Sequence, residues 1–349
     1  MRVLYFGTFD SQYGRNWVLI NGLKKNGVEV IELSRPPGRL NLVKLFFDYI
    51  KARIEYDAMI VGFSGQEAMF IARLLTRKPI IFDAFTSHYG GYILNRKRFS
   101  EHSFHATYYR FLDTWSCKLA DIILLESQAY IDFFVREYRL SPEKFRRIWI
   151  GANDKLFQPA VSKIHGPDDV FQVIFFGTYV PVQGAEYIVK AAKILEQERI
   201  IFTFCGKGQD GPKAYGLAKQ LGLKNIIFKG MLDGEHLVRE LANADVSLGN
   251  FGDTPLAPLI ISNKVYEALA SRKPVITSDM PANREFFSEG EVVFVPLANA
   301  EALAQEILTL KNNPSLRERV ARRGYEKFVM SASPQVLGGE LKAIIQELI

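Results

Sequence analysis

Apolar residues come in short blocks, and the stretches between them have helical spacing. Val3, Leu4, Tyr5 and Phe6 form the first block, which ends at Gly7. Trp17, Ile20, Asn21, Leu23 and Lys24 then recur at intervals that predict a helix, stopped by Gly27. Residues 28–33 alternate like a strand, so the chain opens with a βαβ unit. Further strand-like blocks fall at residues 58–63, 79–82 and 121–125, again with helical patterns between them. Strands alternating with helices predict a parallel sheet covered on both faces.

The pattern then restarts. Phe157, Gln158 and Pro159 and the polar stretch 162–169 read as a linker. A new strand is expected over 170–176, ending at Gly177, then a helix over 185–197 and a strand over 200–205 ending at Gly206. More strands are expected at 225–228, 246–248, 274–277 and 292–295, with helices at 237–241, 263–270 and 300–310. The expected division is therefore 1–160, 161–330 and a terminal helix within 331–349. Both main domains are α/β, doubly wound and Rossmann-like. Ligands of such sheets bind beyond the carboxyl ends of the strands, and two such domains are expected to face a central cleft.

The loops narrow the chemistry. Residues 177–184 join a strand to a helix and carry Gly177 and Gly184, so backbone amides there can approach an anion. Gly206, Lys207 and Gly208 form a second glycine-bearing turn. Neither loop has the Walker spacing, and residues 7–14 lack the dinucleotide fingerprint, which disfavours a P-loop nucleotidase and a nicotinamide enzyme. The segment Ser262-Asn263-Lys264-Val265-Tyr266-Glu267 is the most informative. Asn263 is expected to cap a helix, with Lys264 and Glu267 on one face. A cation there suits phosphate and a carboxylate suits ribose hydroxyls; the plain alternative is an exposed ion pair.

Taken in order, these pieces resemble group 1, family 4 glycosyltransferases of the GT-B fold. The resemblance rests on the glycine-bearing loop, Gly206-x-Gly208, Lys229-Gly230, residues 244–248, and Asn263-Lys264-x-x-Glu267 followed by Lys273-Pro274-Val275-Ile276. It implies metal-independent, retaining transfer of a sugar from a nucleotide diphosphate, UDP- or GDP-linked, with no further cofactor. The second domain would hold the donor and the first the acceptor, and the terminal helix would pack toward the first. Glu267 would bind ribose. Asn263, Lys264, Gly177, Thr178, Gln183, Gly184, Gly206 and Lys207 would surround the diphosphate, and Lys229, Gly230 and Met231 the base. Three positions depart from the family: Thr178 and Gln183 replace its usual loop cations, and Leu259 replaces a second glutamate. Lys264 and Arg15 would then supply the missing positive charge. These departures also admit a GT-B protein that binds a sugar nucleotide without transfer, and an epimerase is a further alternative.

In the first domain, Arg15 and Asn16 sit at a helix start, expected to point into the cleft. Asp83 and His88, after the strand expected at 79–82, are the candidates for orienting the acceptor hydroxyl or moving its proton. His102 and His105 read as helix surface rather than a metal pair.

Composition refines this picture in one respect. The two cysteines, Cys117 and Cys205, sit in apolar settings, and the longest apolar runs are too short for a spanning helix. The first strand runs straight into a turn, unlike a secretory signal. A cytoplasmic protein is expected, with docking at the inner face of the membrane as a further expectation. The net charge of +6 is too mild to imply nucleic acid. It is unevenly spread, however: residues 1–155 hold 23 Lys and Arg against 16 Asp and Glu, and 27 of the 44 aromatic residues. Residues 42–54 read as a basic amphipathic helix, and Arg96, Lys97 and Arg98 form a cluster. An anionic or lipid-linked acceptor fits this asymmetry.

Overall fold

The computed structural model describes residues 1–159 and 170–349; the stretch 162–169 read as a linker lies outside the described residues. The chain divides into two compact units, one of Met1–Asn153 with Ser331–Ile349 and one of Asp154–Met330.

The first unit is built from β1 (Arg2–Gly7), α1 (Gly14–Lys25), β2 (Glu29–Ser34), α2 (Arg39–Ala52), β3 (Ala58–Val61), α3 (Gln66–Leu75), β4 (Ile80–Asp83), α4 (Phe104–Leu119), β5 (Ile122–Leu125), α5 (Gln128–Tyr138) and β6 (Phe145–Arg147). Its sheet runs β2-β1-β3-β4-β5-β6 and every pair is parallel. The central strands β3, β4 and β5 are buried along their whole length and apolar except for Asp83 at the end of β4, as a sheet covered on both faces requires. Right-handed crossovers set α2, α3 and α4 on the face opposite α1.

The second unit holds β7 (Phe171–Gly177), α6 (Ala185–Ile194), β8 (Ile200–Gly206), α7 (Gly211–Gln220), β9 (Ile226–Gly230), α8 (Gly234–Asn243), β10 (Val246–Leu248), α9 (Asn263–Ala270), β11 (Val275–Ser278), α10 (Pro281–Phe286), β12 (Val293–Val295), α11 (Ala300–Asn312) and α12 (Pro314–Ser331). The order is β12-β11-β10-β7-β8-β9, again all parallel. The doubly wound α/β expectation therefore holds in both units. From β7 the chain winds one way to β9, then crosses back to β10 and winds the other way. Between β7 and β10 lies the topological switch, where the two loops diverge and leave a crevice.

The last helix, α13 (Pro334–Gln346), belongs to the first unit and lies along α1. The two helices approach until backbones touch. A Cβ added to Gly338 would stand 2.0 Å from the carbonyl carbon of Gly22. Asn26 and Lys342 secure the contact through hydrogen bonds of 2.8 Å to the Gln335 carbonyl and 2.9 Å to the Asn26 carbonyl.

Candidate functional site

The switch-point crevice of the second unit is built from glycine-dependent loops. Gly177 and Gly206 pair across β7 and β8, with φ of 142° and 139°. A side chain on Gly206 would meet the Gly177 carbonyl oxygen at 1.9 Å. Gly184, at φ 65°, lies against Phe251 and Gly252 of the loop after β10, where a Cβ would be 2.4 Å from the Gly252 nitrogen. The amides of Phe251 and Gly252 donate to the carbonyls of Gln183 and Val182 at 3.2 and 3.1 Å. Loops from both sides of the switch are thus stitched into one wall.

Polar atoms without partners collect in this wall. Gln183 is 7% exposed and its Oε1 has no hydrogen bond; Asn250 Oδ1 and Thr254 Oγ1 are buried in the same condition. Most buried polar atoms in a folded protein are paired, so three free ones in one wall set it apart. Tyr179 stacks on Phe175 at 5.5 Å beneath the loop, and Thr178 is exposed at its tip.

Lys264 is the cation of this site. It is 4% exposed, and its Nζ has no hydrogen-bond partner. The ammonium lies 4.0 Å from the centre of the Phe175 ring, and Cε is 3.2 Å from where a Cβ of Gly177 would stand. Burial holds the Lys264 ammonium well below its usual range, with Glu267 acting the other way. The exposed ion-pair alternative is thereby excluded, because Lys264 is buried and makes no salt bridge. Burial also pushes the half-buried Glu267 carboxyl up to about 7, against the pull of Lys264. The expected cap is corrected: Asn263 is the first helical residue of α9, and Ser262 holds the cap position. The Ser262 hydroxyl makes no capping bond and has no partner. An anion here would meet a lysine, an uncapped helix start and the free hydroxyls of Ser262 and Thr254.

Other candidates are placed less centrally. Lys207 is exposed on the turn after β8. Gly230 ends β9 beside Cys205, and Met231 is 53% exposed just beyond it. The Lys229 ammonium is held by Glu240 at 2.6 Å. That ion pair joins β9 to α8.

In the first unit, two assignments change. Arg15 and Asp83 are both 0% exposed and bind each other, at 2.8 Å through Nη2 and 3.1 Å through Nε. Arg15 Nη1 donates to the carbonyls of Ile148 and Trp149 at 2.9 and 2.6 Å. Burial works against the Arg15 charge, and Asp83 more than offsets it. The pair ties the start of α1 to the end of β4 and to the chain after β6. Arg15 is therefore neither a cation facing a cleft nor a surface cap, and Asp83 is not a group open to an acceptor.

His88 is different. It is half-buried, its Nδ1 has no partner, and its ring meets the edges of Tyr92 and Tyr109 at 5.8 and 5.9 Å. Its loop is anchored by buried Asp113, which accepts from the amides of His88 and Tyr89 at 3.0 and 2.9 Å and from the Ser87 hydroxyl at 2.8 Å. Sequence reading missed Asp113, which sits mid-helix, and also Asn250 and Thr254. The Gly249-Asn250-Phe251-Gly252 run after a short apolar strand was the available signal for the latter two. Among the described residues, no group of three or more His, Cys, Asp or Glu side chains is placed to hold a metal.

Comparison with known proteins places this geometry. Residues 158–327 match the family described as glycosyl transferases group 1. The chain is 24% identical over 240 residues to the alpha-D-kanosaminyltransferase of Streptomyces kanamyceticus, covering 66% of this chain and 61% of that protein. It is 26% identical over 178 residues to the lipopolysaccharide core biosynthesis glycosyltransferase LpsE of Rhizobium meliloti, covering 50% of each. The chain thus spans about half to three-fifths of the length of these curated relatives. Among solved structures, Anabaena HepE in complex with UDP-glucose aligns over 100% of both chains with a TM-score of 0.72 and 17% identity. The two parallel sheets have the same GT-B fold as that structure, and the match to the group 1 glycosyl transferases lies within the second unit.

Proposed function

We propose that this protein is a glycosyltransferase that takes a sugar from a nucleotide diphosphate held in the switch-point crevice of the second unit. The observation that carries the reading is the buried, unpartnered Lys264 ammonium beside Gly177. A buried cation without a partner is unfavourable, and a diphosphate resolves it. In this reading Lys264, the start of α9 and the Gly177–Gly184 loop stabilise the charge that develops on the leaving diphosphate. The free Thr254 hydroxyl can donate to it, the free Gln183 and Asn250 amide oxygens accept from N–H or O–H groups of the donor, and Glu267 accepts from the ribose. Met231 and Gly230 border the base. Because protein groups neutralise the leaving group, no divalent cation is required; the resemblance to family 4 transferases supports transfer with retention. UDP is the first donor nucleotide to test, since the HepE structure holds UDP-glucose.

The first unit takes the acceptor, with His88 as the group that orients its hydroxyl or moves its proton. Its positive charge and aromatic residues suit an anionic or lipid-linked acceptor. The test is thermal unfolding with UDP or GDP, in the presence of a chelator. A ligand that binds only the folded state raises the melting temperature. UDP is expected to stabilise the wild type and to fail with Lys264→Met. Absence of stabilisation by either nucleotide removes the reading. His88→Ala is expected to keep nucleotide binding and lose transfer.

A further inference from the structure

In the first unit α2 packs against α3, and α3 against α4, forming one helical layer over the sheet. Its outward side is apolar. On α2, Leu40, Val43, Phe47 and Ile50 recur every three or four residues and are 78%, 55%, 62% and 52% exposed. On α3, Leu74 is 82% exposed, one turn beyond Phe70. On α4, Phe104, Phe111 and Trp115 are 80%, 48% and 44% exposed. Phe70 stacks on Phe111 at 6.1 Å and 15°, which joins the α3 and α4 stripes. Among the described residues, eight of the sixteen exposed large apolar side chains lie on these three helices. Clustering of this kind marks a surface that meets something other than water.

The charges on the same layer identify what it meets. Its acids are all engaged: Asp48 is bound to Arg35 at 2.7 Å, Glu67 accepts from Tyr108 at 3.2 Å, and Asp113 is buried. Lys44, Lys51 and Lys118 make no salt bridge, and Lys118 Nζ lies 4.9 Å over the Trp115 ring. Exposed lysines beside apolar and tryptophan side chains match a plane that is apolar inside and anionic at its surface. A second copy of this face is disfavoured, because its free charges are all positive and two such faces repel. No helix among the described residues is long and apolar enough to cross a membrane, so contact would be from one side.

We propose that the α2–α3–α4 face docks on an anionic lipid bilayer. Phe47, Phe104 and Trp115 enter the headgroup boundary, while Lys44, Lys51 and Lys118 lie on lipid phosphates. The proposal does not depend on the donor reading, since it uses no residue of the second unit.

The full chain is mixed with phosphatidylcholine vesicles, with or without phosphatidylglycerol, and floated at low and high salt. Binding to the anionic vesicles is expected to exceed that to the neutral ones by about tenfold and to weaken with salt. Brominated acyl chains should quench Trp115, while Trp17 and Trp149, which are 7% and 6% exposed, stay dark to the quencher. Phe47→Glu with Phe104→Glu should lower vesicle binding by more than about tenfold at unchanged melting temperature and unchanged UDP binding. No flotation with phosphatidylglycerol at low salt overturns the proposal, as does flotation without quenching. A dimer that this double variant abolishes, with no vesicle binding by the wild type, would assign the face to a second copy and also overturn it.

Discussion

Arg15 and Asp83 show how a charged residue at a helix start can misdirect a functional reading. Cutting one partner from a fully buried pair leaves the other unpaired in a low dielectric, which destabilises a fold by about 3–5 kcal/mol. Asp83→Ala should lower the stability of the first unit by about that amount, whereas Arg15→Met with Asp83→Leu should recover much of it. The three tryptophans, Trp17, Trp115 and Trp149, all belong to the first unit, so their fluorescence in a denaturant titration reads it selectively. Equal losses in the single and double variants would show that the pair is not what holds these elements.

Lys264 and Glu267 make opposite contributions as pH changes. The Glu267 carboxyl titrates at about 7 in the folded chain against 4.5 ordinarily, so the folded state binds more protons between those values. Its contribution to stability therefore falls as pH rises through that window. For Lys264 the unfolded chain binds the extra proton, and the penalty of burial lifts as pH rises toward the ordinary lysine range. Ligand binding should expose both effects. A diphosphate favours the charged Lys264 and draws a proton in alkaline solution; a ribose hydroxyl donated to Glu267 favours the carboxylate and releases one in acid. Calorimetric titration with UDP, in buffers of different ionisation enthalpy, should resolve a release by Glu267 in the window between its ordinary value and about 7, and an uptake by Lys264. Lys264→Met should abolish the uptake, and Glu267→Gln the release. Proton exchange unaltered by either substitution would separate these residues from the ligand.

At the scale of elements, much was legible in the sequence because strands buried on both faces announce themselves as apolar blocks. The βαβ alternation and the α9 segment follow from residue spacing alone. What spacing conceals is the third dimension. Arg15 and Asp83 are 68 positions apart, and only the closed sheet brings them together. The isolated position of Lys264 also escapes a sequence reading, since i,i+3 spacing to a glutamate suggests a pair. Gly22 and Gly338 carry no local signal either, because their need for glycine arises from each other. Gly338→Ala would force α13 away from α1 and is expected to destabilise the first unit by about 1–3 kcal/mol, with the second unit's response to UDP intact. Tryptophan fluorescence against denaturant measures the first effect, and nucleotide-induced thermal stabilisation the second. A Gly338→Ala protein as stable as the wild type would show that the helices can separate without loss.

Across the whole molecule, charge follows the division of the chain. The first unit carries 23 Lys and Arg against 17 Asp and Glu, and the second carries 21 of each. The net +6 thus belongs to the unit with the exposed apolar helices and is absent from the unit with the switch-point crevice. In the second unit positive charge is therefore local, at Lys264, rather than spread over a surface.

The seam between α1 and α13 has a consequence for how the protein comes into being. During synthesis residues 1–153 emerge before the second unit, but the helix that covers α1 emerges after it. The second unit is contiguous and can complete itself while its neighbour still waits for a missing wall. Until Gly338 reaches Gly22, the buried side of α1 stands open on a nascent chain. The first unit is therefore begun before the second and finished after it.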